Sequence, residues 1–195
     1  MTGLEWQVCE DPRLMLEALR LRCEVADRKW RLFVAAFGRW RADHLAESRV
    51  ELLAESESME SWAETGRLPR GYRRSRSEGM IFFHEDAAQS ALLTVELVLG
   101  WSHGRQQAAK VQADLLRDLF GNPFRMVAIN NRWRTSDVIG LARAIEAERA
   151  FERMPILADA LMDACCEDER LIAHCRSEER HVRGCWALDL LLRPL

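Results

Sequence analysis

The last third of the chain, ERMPILADALMDACCEDERLIAHCRSEERHVRGCWALDLLL from residue 152 to 192, holds four of the six cysteines and two of the five histidines between two apolar patterns of helical period. An apolar residue every three to four positions commits a segment to one buried helical face, so this block is expected to fold as helices packed on a core. Pro155 opens the first pattern, Ile156, Leu157, Ala160, Leu161 and Ala164; proline suits a first helical turn because its missing N–H would have no partner there. The second pattern runs from Cys185 to Leu192 with Asp189 its only charge, and Trp186 is its natural core anchor.

Between the two patterns lie Cys165, Cys166, His174, Cys175, His181 and Cys185. Zinc takes thiolate and imidazole donors in a tetrahedron, and the set offered here is Cys166, His174, His181 and Cys185. A helix through 181–185 would put His181 and Cys185 on one face. No short C-x2-C pair occurs, however, and cysteines without such pairs read more simply as small buried hydrophobes. Cys175 or Cys185 beside His174 or His181 is also the raw material of a nucleophile and its base, a combination recognised by geometry rather than by spacing.

Upstream, Asp11-Pro12 reads as an N-cap and first helical residue for a helix bearing Leu14, Met15, Leu16 and Leu19. Asp27 is expected to cap a second helix, in which Trp30, Phe33, Val34 and Phe37 form a core stripe. Glu47 to Glu64 is acidic with a thin apolar stripe of Leu45, Leu52, Met59 and Trp62, the pattern of a solvated helix. Met80 to Phe83 is a short apolar run, followed by a helix through Ala88, Ala91, Leu92 and Val95 to Gly100. Another helix, with Val111, Leu115, Leu116 and Leu119, should stop at Gly121, where GNPF makes a turn. Met126 to Ile129 reads as briefly extended; Thr135, Ser136 and Asp137 are then cap candidates for a helix with Val138, Leu141, Ala144 and Ile145. Acids and arginines alternate from Arg143 to Asp163, which is how exposed helices are laced with ion pairs, and no catalytic residue is assigned among them.

Composition narrows the function classes. A chain of 195 residues buries a sizeable core without disulfides or metals, which makes zinc optional. A formal charge of −3 and a pI near 6.0 argue against a globally basic nucleic-acid binder. One local patch remains: TGRLPRGYRRSRSEG carries Arg67, Arg70, Arg73, Arg74 and Arg76 with Tyr72, a phosphate-binding arm with a stacking ring in one reading and a flexible loop that offsets the acidic helix in the other. The apolar stretch Ala91 to Trp101 is short and contains Glu96, so no membrane span is expected, and the acidic N-terminus without an apolar core is not a secretory signal. A cytoplasmic, reducing location follows, with thiols or metal ligands in place of disulfides.

Four stretches, EWQVCEDPRLMLEAL, DRKWRLFVAAFGRW, LLRDLFGNPFR and the long terminal block from Glu148 onward, together resemble a family of proteins expanded as paralogues in planctomycete bacteria. The resemblance is carried best by Cys166, His174, Cys175, His181, Arg183, Gly184, Cys185 and Trp186 in the pattern G-C…H-C-R…H-V-R-G-C-W, with Cys165 where a glycine is usual. Residues 65–105 hardly share it. The family brings no settled reaction with it. Relatives are similar in having a cysteine-rich run after DRK-x-R-L-F, where this chain reads Phe33, Val34, Ala35, Ala36, Phe37 and Gly38; a metal site using those family cysteines would be incomplete here.

The expected fold is all-α, an irregular bundle of seven to nine helices. Residues 1–65 form an N-terminal helical segment, 66–79 an Arg-rich loop or linker, and 80–195 a helical core that folds together with the first segment. The expected function is a non-enzymatic interaction or adaptor module with a protein partner; the alternatives are a nucleic-acid accessory protein using the Arg-rich loop, and a Cys/His-dependent or zinc-dependent enzyme.

Overall fold

The computed structural model describes residues 1–22, 25–44, 49–67, 84–98, 101 and 103–193. Among these the fold is all-α: ten α-helices, two 3-10 turns and no strand, so Met126 to Ile129 adds no sheet. No helix among the described residues is long and apolar enough to cross a membrane. The chain divides into two compact units, Met1–Arg117 and Asp118–Leu195. The first unit takes in residues on both sides of the 66–79 stretch that was expected to act as a linker, and the division falls between Arg117 and Asp118.

The first unit contains α1 (Gly3–Val8), α2 (Pro12–Arg22), α3 (Asp27–His44), α4 (Arg49–Thr65), α5 (Ala87–Leu97) and most of α6 (Arg105–Phe120). Thr2 and Glu5 form a reciprocal capping box that starts α1 and seats Trp6, a short helix that the apolar pattern alone does not announce. Asp11 caps α2 as expected, accepting from the Arg13 and Leu14 amides at 2.9 and 3.5 Å. Asp27 is the first residue of α3 and not its cap; its carboxylate turns to Arg31 at 3.4 Å.

α3 is the core helix of this unit. Trp30, Phe33, Val34 and Phe37 are buried as the stripe predicts, and Leu32, Ala35, Ala36, Trp40 and Ala42 are buried with them, because α4 and α5 both lie against it. The acids of α4 meet the arginines of α3. Arg28 chelates Glu64, its NH2 at 2.9 Å from Oε1; Arg39 grips the buried Glu60 through Nε at 2.9 Å and NH2 at 3.2 Å. The acidic helix is therefore neutralised by its packing partner, while Leu52, Ser56 and Met59 form the thin buried stripe.

Arg31 and Arg41 are the buried cations among the described residues. Arg31 donates to the carbonyls of His84 and Glu85 at 3.2 and 2.9 Å and lies 3.4 Å over the Trp62 ring. Burial lowers its pKa and the nearby Asp27 opposes that shift. The guanidinium thus ties the chain just before α5 to α3 and α4.

In the second unit α7 (Ser136–Glu148) starts at Thr135, whose hydroxyl accepts from the Val138 amide at 3.3 Å. It ends at Arg149 with φ +56°, short of Phe151, because the chain there reverses through a 3-10 turn at Phe151–Arg153. α8 (Met154–Asp163) carries Pro155 in its first turn, as expected, and α9 (Glu169–Cys175) is capped by Asp168, which accepts from the Arg170 and Leu171 amides at 3.0 and 3.2 Å. α10 (Trp186–Leu192) begins one residue later than Cys185, which is its N-cap. Val138, Ile145, Met154, Leu157, Leu161, Leu171, Leu188 and Leu191 form the common core of these four helices.

Gly121 ends α6 with φ +63°, and a methyl group there would stand 3.1 Å from the Trp186 ring. Both the backbone and the space demand glycine. Gly121→Ala is expected to destabilise the second unit by roughly 1–2 kcal/mol or more, since the left-handed region alone costs about that much for a residue with a Cβ; urea unfolding followed by Trp fluorescence measures it. Arg31→Leu should cost about 1–2 kcal/mol in the first unit by removing the hydrogen bonds to the His84 and Glu85 carbonyls, measured the same way.

Candidate metal centre

Asp118, His174, His181 and Cys185 converge in the interior of the second unit, with one donor atom from each within 4.8 Å of all the others. Asp118 lies on the last turn of α6, on the same apolar stripe as Leu115 and Leu119. The stripe points it inward. His174 is the penultimate residue of α9, directed by the Asp168 cap and by the burial of Leu171 and Cys175 on the same helix. His181 and Cys185 come from the segment between α9 and α10. That segment is not the helix expected to align them: Gly184 takes φ +84°, and the Cys185 amide donates to the Val182 carbonyl at 3.0 Å, so a tight turn folds the two side chains together.

The distances are short. His181 Nδ1 is 2.7 Å and His174 Nε2 is 3.3 Å from Asp118 Oδ1; His174 Nε2 is also 3.1 Å from Cys185 Sγ, and His181 Nδ1 is 3.9 Å from it. The second carboxylate oxygen accepts from the Val182 amide at 2.9 Å, which fixes the plane of the group. The two imidazole rings meet edge to face, 4.8 Å between centroids, and Trp186 covers His174 at 4.8 Å. Each ring nitrogen therefore faces an oxygen and a sulfur at once. A single proton on a nitrogen can serve only one of them, whereas a cation between the four serves all.

Zinc bonds of about 2.0–2.1 Å to nitrogen and oxygen and about 2.3 Å to sulfur place tetrahedral donors roughly 3.3–3.6 Å apart. The observed separations, 2.7 to 3.9 Å for the contacting atoms, bracket that range. With all four donors within 4.8 Å of one another, the set could hold a metal ion, its chemistry being that of a zinc site.

Burial shapes the protonation of the cluster. Burial alone would raise the Asp118 carboxyl, but hydrogen bonds from His174 and His181 and the charge of those rings outweigh it, and its pKa is held below the ordinary range. Burial drives the Cys185 thiol well above its ordinary value, with Asp118 adding to the effect. Cys175, beside it in the core, is pushed up to about 12 by burial and by its neighbours Cys166 and Asp118.

Of the four residues proposed from spacing, His174, His181 and Cys185 are brought together and Cys166 is not in the set. Cys166 follows Cys165, which has φ +58°, and is buried, its thiol raised by burial. Asp118 takes its place, 56 residues before His174 in sequence and so invisible to a spacing argument. A signal was nevertheless there. Val111, Leu115 and position 118 are i, i+4 and i+7, so an acid stands on the apolar stripe at a helix C-terminus, where the helix dipole opposes a negative charge. All four donors belong to the second unit, so the stretch Phe33 to Gly38 plays no part in the set. Of the proposed phosphate-binding residues, Arg67 is exposed just beyond α4, and Arg70, Tyr72, Arg73, Arg74 and Arg76 lie outside the described residues.

Comparison with family models, with curated proteins and with solved structures finds no match to the chain.

The five described cysteines are free thiols of very different exposure. In metal-free folded protein at pH 8, iodoacetamide should label the exposed Cys165 quickly and leave Cys166, Cys175 and Cys185 far behind. For Cys175, a pKa of about 12 leaves on the order of a thousandth of the thiolate of an open cysteine. Pulse labelling with peptide mass spectrometry reads this, and rapid native labelling of Cys185 would show a nucleophile where the geometry shows a buried thiol.

Proposed function

We propose that the chain is a zinc-stabilised, non-enzymatic interaction module, its second unit held together by one zinc ion on Asp118, His174, His181 and Cys185. The observation that carries this reading is the convergence of four donors, three of them buried and His174 half-buried, from three separate segments. Four protein donors complete a tetrahedron, which is the pattern of structural zinc; catalytic zinc keeps a position open for water or substrate. The ion supplies two positive charges against one carboxylate and one thiolate, so the loaded centre is neutral in a low-dielectric interior.

Zinc in this role ties the end of α6, the end of α9 and the start of α10 to one another. These elements are otherwise joined by apolar packing and by hydrogen bonds such as that from the Val182 amide to Asp118 Oδ2 at 2.9 Å. Zinc displaces the thiol proton of Cys185, so its affinity falls with falling pH. Support for an interaction role is the exposed apolar surface: Leu4, Val8, Leu14 and Leu21 on helices of the first unit, and Ile156 and Met162 on α8 with Met126 before the 3-10 turn in the second. The expected partner is a protein.

Elemental mass spectrometry of protein purified without chelator or nickel resin tests the reading. About one zinc per chain is expected, lost in Asp118→Asn and in Cys185→Ser. Strong chelation should lower the melting temperature of the second unit by on the order of 10 °C, because the ion binds only the folded form. Folded wild-type protein that carries no transition metal, and takes up none on dialysis, would overturn the proposal.

A further inference from the structure

His181 is only half accounted for by the donor set. Its Nδ1 faces Asp118 and Cys185, while its Nε2 is buried and has no hydrogen-bond partner. A ligating histidine ordinarily gives its other N–H to an acceptor, which fixes the ring and its tautomer. Ser177 Oγ is likewise buried and without a hydrogen-bond partner. Both residues line one cleft of about 520 Å³ beside the 3-10 turn at Phe151. Ser177 is also tied to the second imidazole ligand, because its amide donates to the His174 carbonyl at 3.2 Å and the two imidazole rings are 4.8 Å apart.

The chemistry at Nε2 inverts when a metal binds. While Nδ1–H donates to Asp118, Nε2 carries a lone pair and accepts; once Nδ1 is given to a metal, the ring proton moves to Nε2, which then donates. The neighbouring arginines of the cleft, Arg176 and Arg180, can only donate, and its carboxylates can only accept. Ser177 is the one hydroxyl in the lining, and a hydroxyl turns to serve either state.

We infer that Ser177 is the outer hydrogen-bond partner of His181 in the metal-loaded protein, directly or through one ordered water, and so a positioning residue of the centre. This rests on the zinc reading above. It makes the residues after α9 part of the metal site: Ser177 holds the ring that the turn at Gly184 delivers.

The test compares wild type, Ser177→Ala and Ser177→Thr by zinc titration against a competing chelator, together with nitrogen-15 histidine spectra of the loaded proteins. Ser177→Ala should bind zinc about tenfold more weakly, the lower end of the effect of losing such a partner. Ser177→Thr should recover most of the loss. The His181 Nε2–H signal should be protected from exchange in wild type and in the threonine variant and lost in the alanine variant, with metal-free melting the same in all three. Equal affinity of wild type and Ser177→Ala would remove Ser177 from the centre and leave the zinc reading standing. A fall in metal-free stability that accounts for the whole affinity loss would reduce Ser177 to a structural residue and also overturn the assignment. Wild type that binds no zinc would fail one step earlier, taking the zinc reading and this inference together.

Discussion

A carboxylate buried at the C-terminal end of a helix is the constraint from which the second unit's interior follows. Asp118 is almost wholly enclosed, and the last carbonyls of α6 already make that end of the helix negative. An uncompensated charge there would cost several kcal/mol. The Val182 amide and two imidazoles gather around it, and these hydrogen bonds and the ring charges hold its pKa down despite burial. Once His174 and His181 are drawn to one oxygen, the chain between them has little freedom. The reversed backbone at Gly184 and the placement of Cys185 as the α10 cap follow from closing that segment over the carboxylate.

Buried charge is handled differently in the first unit. Arg31 and the Arg39–Glu60 pair lie between helices whose apolar residues supply the packing. Each cation has oxygen partners within hydrogen-bonding distance, two main-chain carbonyls for Arg31 and a bidentate carboxylate for Arg39. Arginine suits the task because its planar donors reach several acceptors without giving up the charge. These pairs also set the register of α3 against α4: Arg28 with Glu64, Arg31 over Trp62, Arg39 with Glu60.

The helical class was legible because the apolar periodicity is strong at Trp30 to Phe37, at Leu115 to Leu119 and at Leu157 to Leu161, and because caps such as Asp11 and Thr135 act locally. Helix ends that depend on tertiary contacts were less legible. Arg149 adopts a left-handed conformation with no glycine to announce it, and α1 is too short for a period to show. The partners of the α4 acids were not legible for the same reason: Glu60 and Glu64 are matched by residues 21 and 36 positions away, beyond the reach of a reading that weighs neighbours in sequence. The candidate site divides along the same line. His174, His181 and Cys185 stand close together in the chain and were named from it, whereas Asp118 meets them only through folding.

The remaining question is what a metal ion would change in a cluster that already makes hydrogen bonds. Its own protonation answers it. Burial favours the neutral thiol at Cys185, and Asp118 nearby makes the thiolate still less favourable, so without a cation the sulfur keeps its proton. That proton has to share the space in which His174 Nε2 already stands 3.1 Å from the sulfur and 3.3 Å from the carboxylate. The four donors are then crowded without being matched: two nitrogens, one thiol and one carboxylate, each nitrogen facing two partners. Removing the thiol proton and inserting a divalent cation would give each of the four donors a bond to the ion and leave a neutral whole. A site evolved as hydrogen-bonded core alone would gain nothing from aiming all four donors at a single point, since pairs aimed at each other satisfy the same groups with less crowding.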